Sequence, residues 1–551
     1  MKRYLLTSLI TFILLSGCSL FSNQNEFEGF HEIEEGLYVN YLPGFYQNEI
    51  ALEFKVKDKN AKVYYNLNCA EVEGSNKILY TEPINLDKYL SDKKTDYPLT
   101  ISVDGILAND KGGKVISNNY INNIQKKGTY NFTDHQRVVT ISYVDQDGNT
   151  YSRSLSYIFS EYDIPVVSLS MPYKEWFSTT GLYNNIRIEH EKRAHFEYFD
   201  NEYDEYFYIN TQVKIGGNYT IGYPQRTLNL KFNKNQFNQK QPRVNARIFK
   251  DRLTQDGSGN LDSFSRLRLH NGGNCFENYT GINDAILQTM MEGTNVSTTA
   301  YRPCILYLNG EYWGLYSLRE HYKTQYFEDN YGVDKDEVAI YDYKGEFIFN
   351  DGDDSDFVSF FDELNTYLNK DFTNSKVYYD FIDKYIDVDS FIDVMIAHAF
   401  TCNRDYVGNN NNLKAWRTTL IDPRNPYADG KLRFCLHDAD FAFSDAYYWN
   451  FLDPSVDNSY SYFRMFRKLL KNSEFKDAFY NRAEELIENN LSYENACDII
   501  DEMMDEIRPY KLDSNNRWGL YYWGKDINGI NEKGLAGWEY EIEYAKNFIK
   551  T

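Results

Sequence analysis

The chain has 551 residues, too many for a single hydrophobic core, and about three domains are expected. Lys and Arg number 58 against 81 Asp and Glu, and the net charge of −23 speaks against nucleic-acid binding through the overall field. Apolar residues at 42% and charged residues at 25% exclude a disordered chain, and 50 Tyr suit extensive β-structure.

Met1-Lys2-Arg3 is a short basic start, followed by a mostly apolar run from Tyr4 to Leu15. That run is too short to span a hydrocarbon core of ~30 Å, so it reads as a secretory signal. Leu15-Ser16-Gly17-Cys18 resembles a bacterial lipobox. The resemblance implies cleavage before Cys18 and a diacylglyceride on its thiol. Residues 1–17 are then the signal peptide and 18–35 a polar tether. The rest is expected outside the cytoplasmic membrane, lipid-anchored at the cell envelope. Cys69, Cys275, Cys304, Cys402, Cys435 and Cys497 form no CxxC pair, which gives zinc little support. The compartment permits disulfides, although the wide scatter looks more like buried thiols.

Residues 36–162 carry short alternating runs broken by Gly, Asn and Asp, such as 50–56, 63–65 and 138–143. This pattern predicts an antiparallel β-sandwich. Gly44-Phe45-Tyr46, Val63-Tyr64-Tyr65 and Tyr80-Thr81-Glu82-Pro83-Ile84 resemble the small sandwich module of chitobiase-like enzymes. That resemblance implies an accessory domain, with glycan contact as one use. From 163 strand-like runs continue to about 250, and helical periodicity appears after 280. Asn309-Gly310 between two apolar runs predicts a hairpin. Residues 355–400 and 460–510 read as helices. Strands first and helices later, without regular βαβ alternation, predict an α+β fold for 163–551.

Four segments bear chemistry. Asn403-Arg404-Asp405-Tyr406-Val407-Gly408-Asn409-Asn410 has the Arg-Asp and Asp-to-Asn spacing of a protein-kinase catalytic loop. A carboxylate there can orient a hydroxyl, and a nearby carboxamide can bind a metal on phosphates. Asp438 and Asp440 close an apolar strand at i and i+2, a pattern suited to a hard divalent cation. Gly216-Gly217-Asn218 opens a loop whose N–H groups can approach phosphate, and Arg226 or Lys231 can neutralise it. Glu320, after Tyr312-Trp313-Gly314-Leu315-Tyr316, can pair with that basic residue. Each segment also has an ordinary reading as a turn, a hairpin tip or a surface carboxylate.

Their order, with Arg266-Leu267-Arg268-Leu269-His270-Asn271-Gly272-Gly273-Asn274 and Leu308-Asn309-Gly310-Glu311-Tyr312-Trp313-Gly314, resembles the CotH family of spore-coat-type atypical protein kinases over roughly 163–545. The resemblance implies a divergent kinase-like domain with a β-rich N-lobe and a helical C-lobe. It implies ATP and Mg2+ as cofactors and a Ser- or Thr-containing envelope or coat protein as acceptor. Asp405 then takes the base-like position, Asn410 and Asp438 the metal positions with Asp440 beside them. Gly217, Arg226, Lys231 and Glu320 fall on the nucleotide side. The chain departs from the family at Arg226, often Lys, at Cys275, often Asp, and at Asn283, often Arg. Tyr406-Val407 and His437 also replace the residues usual there.

Two readings follow. The retained Asp405, Asn410 and Asp438 favour an envelope-anchored kinase. The alternative is a non-catalytic assembly or adhesion lipoprotein that keeps the fold as a scaffold.

Overall fold

The computed structural model describes residues 27–67, 77–87, 136–144, 148, 150–178, 180–183, 191–217, 220–222, 225–232, 243–273, 280–403, 405–406, 412–443, 461–523 and 530–550. Cys18 and its signal, Cys69, Cys275 and Asn410 lie outside them. The architecture is α+β.

The first strands gather around their own core. β1 (Lys62–Leu67), β2 (Gln136–Val144) and β3 (Thr150–Ile158) form the centre of a five-stranded sheet, accompanied by a three-stranded and a two-stranded antiparallel sheet. Val63, Val139, Ile141, Leu155 and Tyr157 fill the interior with Leu37, Leu52 and Leu86.

Seven strands then close into a barrel. They are β4 (Val166–Ser170), β5 (Lys192–Asp200), β6 (Glu205–Ile215), β7 (Leu228–Lys231), β8 (Arg266–His270), β9 (Tyr301–Leu308) and β10 (Glu311–Arg319). The order around the barrel is β4-β5-β6-β7-β8-β10-β9, and β4 shuts it by pairing in parallel with β9. Strict alternation builds the interior: Leu228 and Leu230 on β7 and Leu267 and Leu269 on β8 point inward beside Trp176, Tyr183 and Trp313. Each such side chain contributes about 1.5–3 kcal/mol on full burial. The β9–β10 turn is Asn309-Gly310, with φ of 51° and 80°, the left-handed pair that a two-residue type I′ hairpin requires.

The N-terminal sheets and the barrel meet through a polar seam under apolar cover. Buried Glu197 of β5 accepts hydrogen bonds from Ser156 N at 3.3 Å, Ser156 Oγ at 2.5 Å and Tyr206 OH at 3.3 Å. Burial pushes its carboxyl up to about 7, against the opposing pull of Ser156 and Arg153. Ile158, Val166, Phe199, Ile305 and Tyr307 pack beside it.

The remainder is helix-rich. α1 (Asn283–Met290) precedes β9, and α2 (Thr324–Tyr331) follows β10. A four-stranded sheet, β12-β11-β13-β14, is made of β11 (Val338–Tyr343), β12 (Phe347–Gly352), β13 (Lys414–Thr418) and β14 (Arg433–Cys435). Around it lie α3 (Phe357–Tyr367), α4 (Ser375–Lys384), α5 (Val388–Phe400), α6 (Ser461–Leu469), α7 (Ser473–Glu488), α8 (Tyr493–Trp523) and α9 (Ile530–Lys550). α5 is hydrophobic nearly all round and is buried accordingly, from Ser390 to His398. α8 returns to the barrel, where Ser514 Oγ accepts Leu315 N at 3.2 Å. Cys304 and Cys435 are buried and Cys402 and Cys497 half-buried, and none of the four is in a disulfide. Among the described residues no helix is long and apolar enough to cross a membrane.

Candidate active site

The connection after β14 brings Asp438 and Asp440 against the end of β8. Asp438 adopts φ 57°, a left-handed conformation that costs a non-glycine residue energy and that Asp tolerates better than most. Asp440 is 2% exposed. Its carboxylate lies so close to Gly273 that a Cβ there would come within 1.9 Å of Oδ2. Gly273 also has φ 58°, so backbone conformation and space both demand glycine. Its N–H donates to Asn271 Oδ1 at 3.0 Å, and Asn271 Nδ2 donates to Gln225 O at 2.6 Å. The end of β8 therefore links the Asp438–Asp440 loop to the glycine loop between β6 and β7.

Helix α1 holds the same loop from behind. Asp284 Oδ1 accepts Ala439 N at 2.9 Å, between the two aspartates, and Oδ2 accepts Arg319 Nη1 at 3.0 Å. Arg319 is fixed in turn by Ala300 O at 3.0 Å and Thr299 Oγ1 at 2.6 Å. Asn283 Nδ2 donates to Ala442 O at 2.7 Å and Asp440 O at 3.3 Å. The carboxamide thus braces the loop.

Asp405 follows α5. Its N–H donates to Asn403 Oδ1 at 3.2 Å, and Asn412 Nδ2 donates both to Asp405 Oδ2 at 2.6 Å and to Asp438 O at 3.3 Å. Behind it His398 stacks on Tyr406 with centroids 3.5 Å apart. Burial pushes that imidazole down to about 3.

Charge is unbalanced in this cluster. Burial, then the negative charges of Asp284 and Asp405, push Asp438 up to about 6, while Asp440 and Arg268 act in the opposite direction. Such a group gains from a nearby cation. The donor set is oxygen, which suits Mg2+, a cation commonly bound by one or two carboxylates plus phosphates and water. Among the described residues no three carboxylate, His or Cys side chains close a metal cage on their own.

The nucleotide-side residues are distributed differently from the sequence expectation. Arg226 has the same parity as Leu228 and Leu230 and is fully buried with them. It donates to Tyr183 O and lies over the Tyr183 ring, 4.7 Å from the centroid. Burial lowers it to about 10, and the charges acting on it are phenols. Glu320 is also buried, accepting Ala300 N at 2.9 Å and Asn330 Nδ2 at 2.8 Å, and burial pushes it up to about 7. The expected pairing of Glu320 with Arg226 or Lys231 is not formed. Lys231 lies on the opposite face of β7 from the leucines, directly across from Arg266. Gly217 has φ 99°, and a Cβ there would meet Thr220 Oγ1 at 2.5 Å.

The cation that faces the aspartates is Arg268. It donates to Asn229 Oδ1 at 2.9 Å, and the charges of Asp438 and Asp284 both act on it. Sequence reasoning assigned no role to Arg268, Asp284, Arg319 or Asn412. The alternation Arg266-Leu267-Arg268-Leu269-His270 carried the signal, because it puts both arginines and the histidine on the face away from the barrel core.

A strand cation, a helix carboxylate, a loop Asp and a strand-end Asp pair thus lie near one another in this α+β protein. The family model described as CotH kinase protein matches residues 213–551, more than half of the sequence, and the chain belongs to that family. The barrel strands β4 and β5 precede the matched region. No curated protein matches the chain.

Proposed function

We propose that this is an envelope-anchored protein kinase that transfers the γ-phosphate of ATP to a Ser or Thr hydroxyl of a protein partner with Mg2+, tethered by an acyl chain on Cys18. The observation that carries the reading is the facing of Asp438 by Arg268, with Asp405 and Asp440 both acting on Asp438 from beside it. Arg268 on a strand and Asp284 on the following helix, whose charge acts on Arg268 while its ion pair is with Arg319, fall in the order in which protein kinases carry a phosphate-side cation and a helix carboxylate.

Bound Mg2+ supplies charge neutralisation on the phosphates. Asp438 and Asp440 are its protein ligands, with Asn410 proposed as a third from the sequence. Asp405, held by Asn412, orients the acceptor hydroxyl and takes its proton as the oxygen bonds to the γ-phosphorus. The bond to the β–γ bridging oxygen breaks and ADP leaves. Arg268 holds the phosphates with a planar, permanently charged fork.

Calorimetry of ATP binding with and without Mg2+ tests this. Saturable Mg2+-dependent binding, lost in a folded Asp438→Ala variant, is expected. No binding by a folded protein would leave the scaffold reading, and unchanged binding in Asp438→Ala would overturn the metal assignment.

A further inference from the structure

The side of β7 and β8 that faces away from the barrel core carries more positive charge than one arginine opposite the aspartates requires. Lys231 and Arg266 stand directly across the β7–β8 ladder. Like charges in that position repel and destabilise a sheet unless something separates or neutralises them. Among the described residues neither side chain has a hydrogen bond or an ion pair, although the charges of Asp351 and Glu191 act on Arg266 from a distance. Arg268 is two residues along β8, on the same face. The connection from β10 to α2 brings His321 and Lys323 to this face, and β13 brings Lys414. The charges of Arg268, Lys323, Arg266 and Lys414 all act on His321 and, after burial, hold its imidazole well below the usual range. His321 Nδ1 is buried without a hydrogen-bond partner among the described residues.

Only part of this charge is balanced. Lys323 pairs with Asp351 at 3.2 Å and Lys414 pairs with Asp342. Lys231, Arg266 and Arg268 have no ion pair among the described residues. Arg268 feels Asp438 and Asp284, and Arg266 feels Asp351 and Glu191, yet in a chain of net charge −23 three cations on one sheet face are still a local concentration of positive charge. The row leads away from Asp438 along β8, beginning at Arg268. No large apolar side chain interrupts it: the residues sharing that face are Asn229 and His270, while Leu228, Leu230, Leu267 and Leu269 point into the barrel.

We propose that Lys231 and Arg266 extend the Arg268 site into a ledge for a phosphate chain, so that the donor is recognised as a polyphosphate rather than through its nucleobase. The inference rests on the kinase reading for the identity of the cleft. It goes further in stating which part of the donor supplies affinity. An inorganic polyphosphate chain and the triphosphate of a nucleotide share this chemistry. Arginine forks and a lysine ammonium grip phosphate oxygens.

The test is calorimetry on the full chain with Mg2+, titrating inorganic tripolyphosphate, ATP and adenosine separately, then repeating with Lys231→Ala, Arg266→Ala and Asp438→Ala. Tripolyphosphate is expected to bind within an order of magnitude of ATP, and adenosine not to compete. Loss of a charged contact in Lys231→Ala or Arg266→Ala should weaken both phosphate ligands by about tenfold or more. Unchanged melting temperatures would show that the variants fold. ATP binding that adenosine displaces and the ledge variants leave unchanged would overturn the ledge while keeping the kinase reading. Tripolyphosphate binding that needs Lys231 and Arg266 but neither Mg2+ nor Asp438 would keep the ledge and overturn the kinase reading. Absence of binding by any phosphate ligand would overturn both.

Discussion

Asn412 Nδ2 donates to Asp405 Oδ2 at 2.6 Å and reaches the carbonyl of Asp438 at 3.3 Å, so one amide spans the two loops that carry the proposed chemistry. Asn412 has φ 64°, which asparagine tolerates and glycine accommodates freely. Asn412→Gly therefore removes the amide while keeping the backbone. It is expected to lower phosphoryl transfer roughly 10–100-fold, the range seen when an orienting partner is lost. Single-turnover phosphorylation beside a thermal melt checks this. An unchanged rate in a folded variant would show that Asp405 needs no orientation from Asn412.

Asp284 ties Arg319, Ala439 and Gln288 together in a buried site. Asp284→Ala leaves the Arg319 guanidinium buried without its carboxylate, and breaking a buried pair in this way costs about 3–5 kcal/mol. Denaturant unfolding should show that loss. Asp284→Asn, which keeps an acceptor for Ala439 N, should cost less.

Gly273→Ala is expected to fail on two counts, a positive φ and a Cβ that would run into the Asp440 carboxylate. A loss of about 1–2 kcal/mol from backbone conformation alone is expected. Displacement of Asp440 should also weaken Mg2+-dependent ATP binding. The measurements are unfolding and calorimetry on the same preparation, and a variant with wild-type values in both would contradict the packing described.

The buried carboxyl of Glu197 gives a pH dependence of definite sign. Its folded value of about 7 lies above its ordinary value of 4.5, so the folded state holds the proton between them and the unfolded state does not. Its contribution to stability is fully present below about 4.5 and is lost as pH rises to about 7, with a total of order 3 kcal/mol. Glu197→Gln, which cannot ionise, should lack that loss. The difference in stability between variant and wild type should therefore grow in favour of the variant from pH 5 to pH 7. A constant difference would mean that Glu197 is ionised throughout.

Local signals in the sequence were easiest to read. Asn309-Gly310 announced its hairpin because only a few residue types accept two left-handed positions in a row. Asp438 and Asp440 were legible as paired carboxylates closing a strand. The barrel was not, because the parallel pairing of β4 with β9 joins distant segments and leaves no short-range pattern in either. Arg226 misled for a related reason. Residue type pointed to phosphate, whereas parity with Leu228 and Leu230 decided the direction of the side chain. The same parity rule, applied to β8, would have singled out Arg268. Asp284 and Asn412 act through hydrogen bonds across elements, and spacing along the chain does not record those.

The parallel closure of the barrel also bears on how the chain reaches its native state. Val166 pairs with Ile305 and Leu169 with Leu308, so the last seam cannot form until β9 has been delivered. Contacts between segments so distant in sequence slow folding, because the intervening chain must be ordered before the pairing repays it. Until then β4 and β9 present open edges of the kind that invite pairing with other chains. A fragment beginning at residue 213 would carry that open edge permanently, and the smallest piece that can fold without it begins ahead of β4.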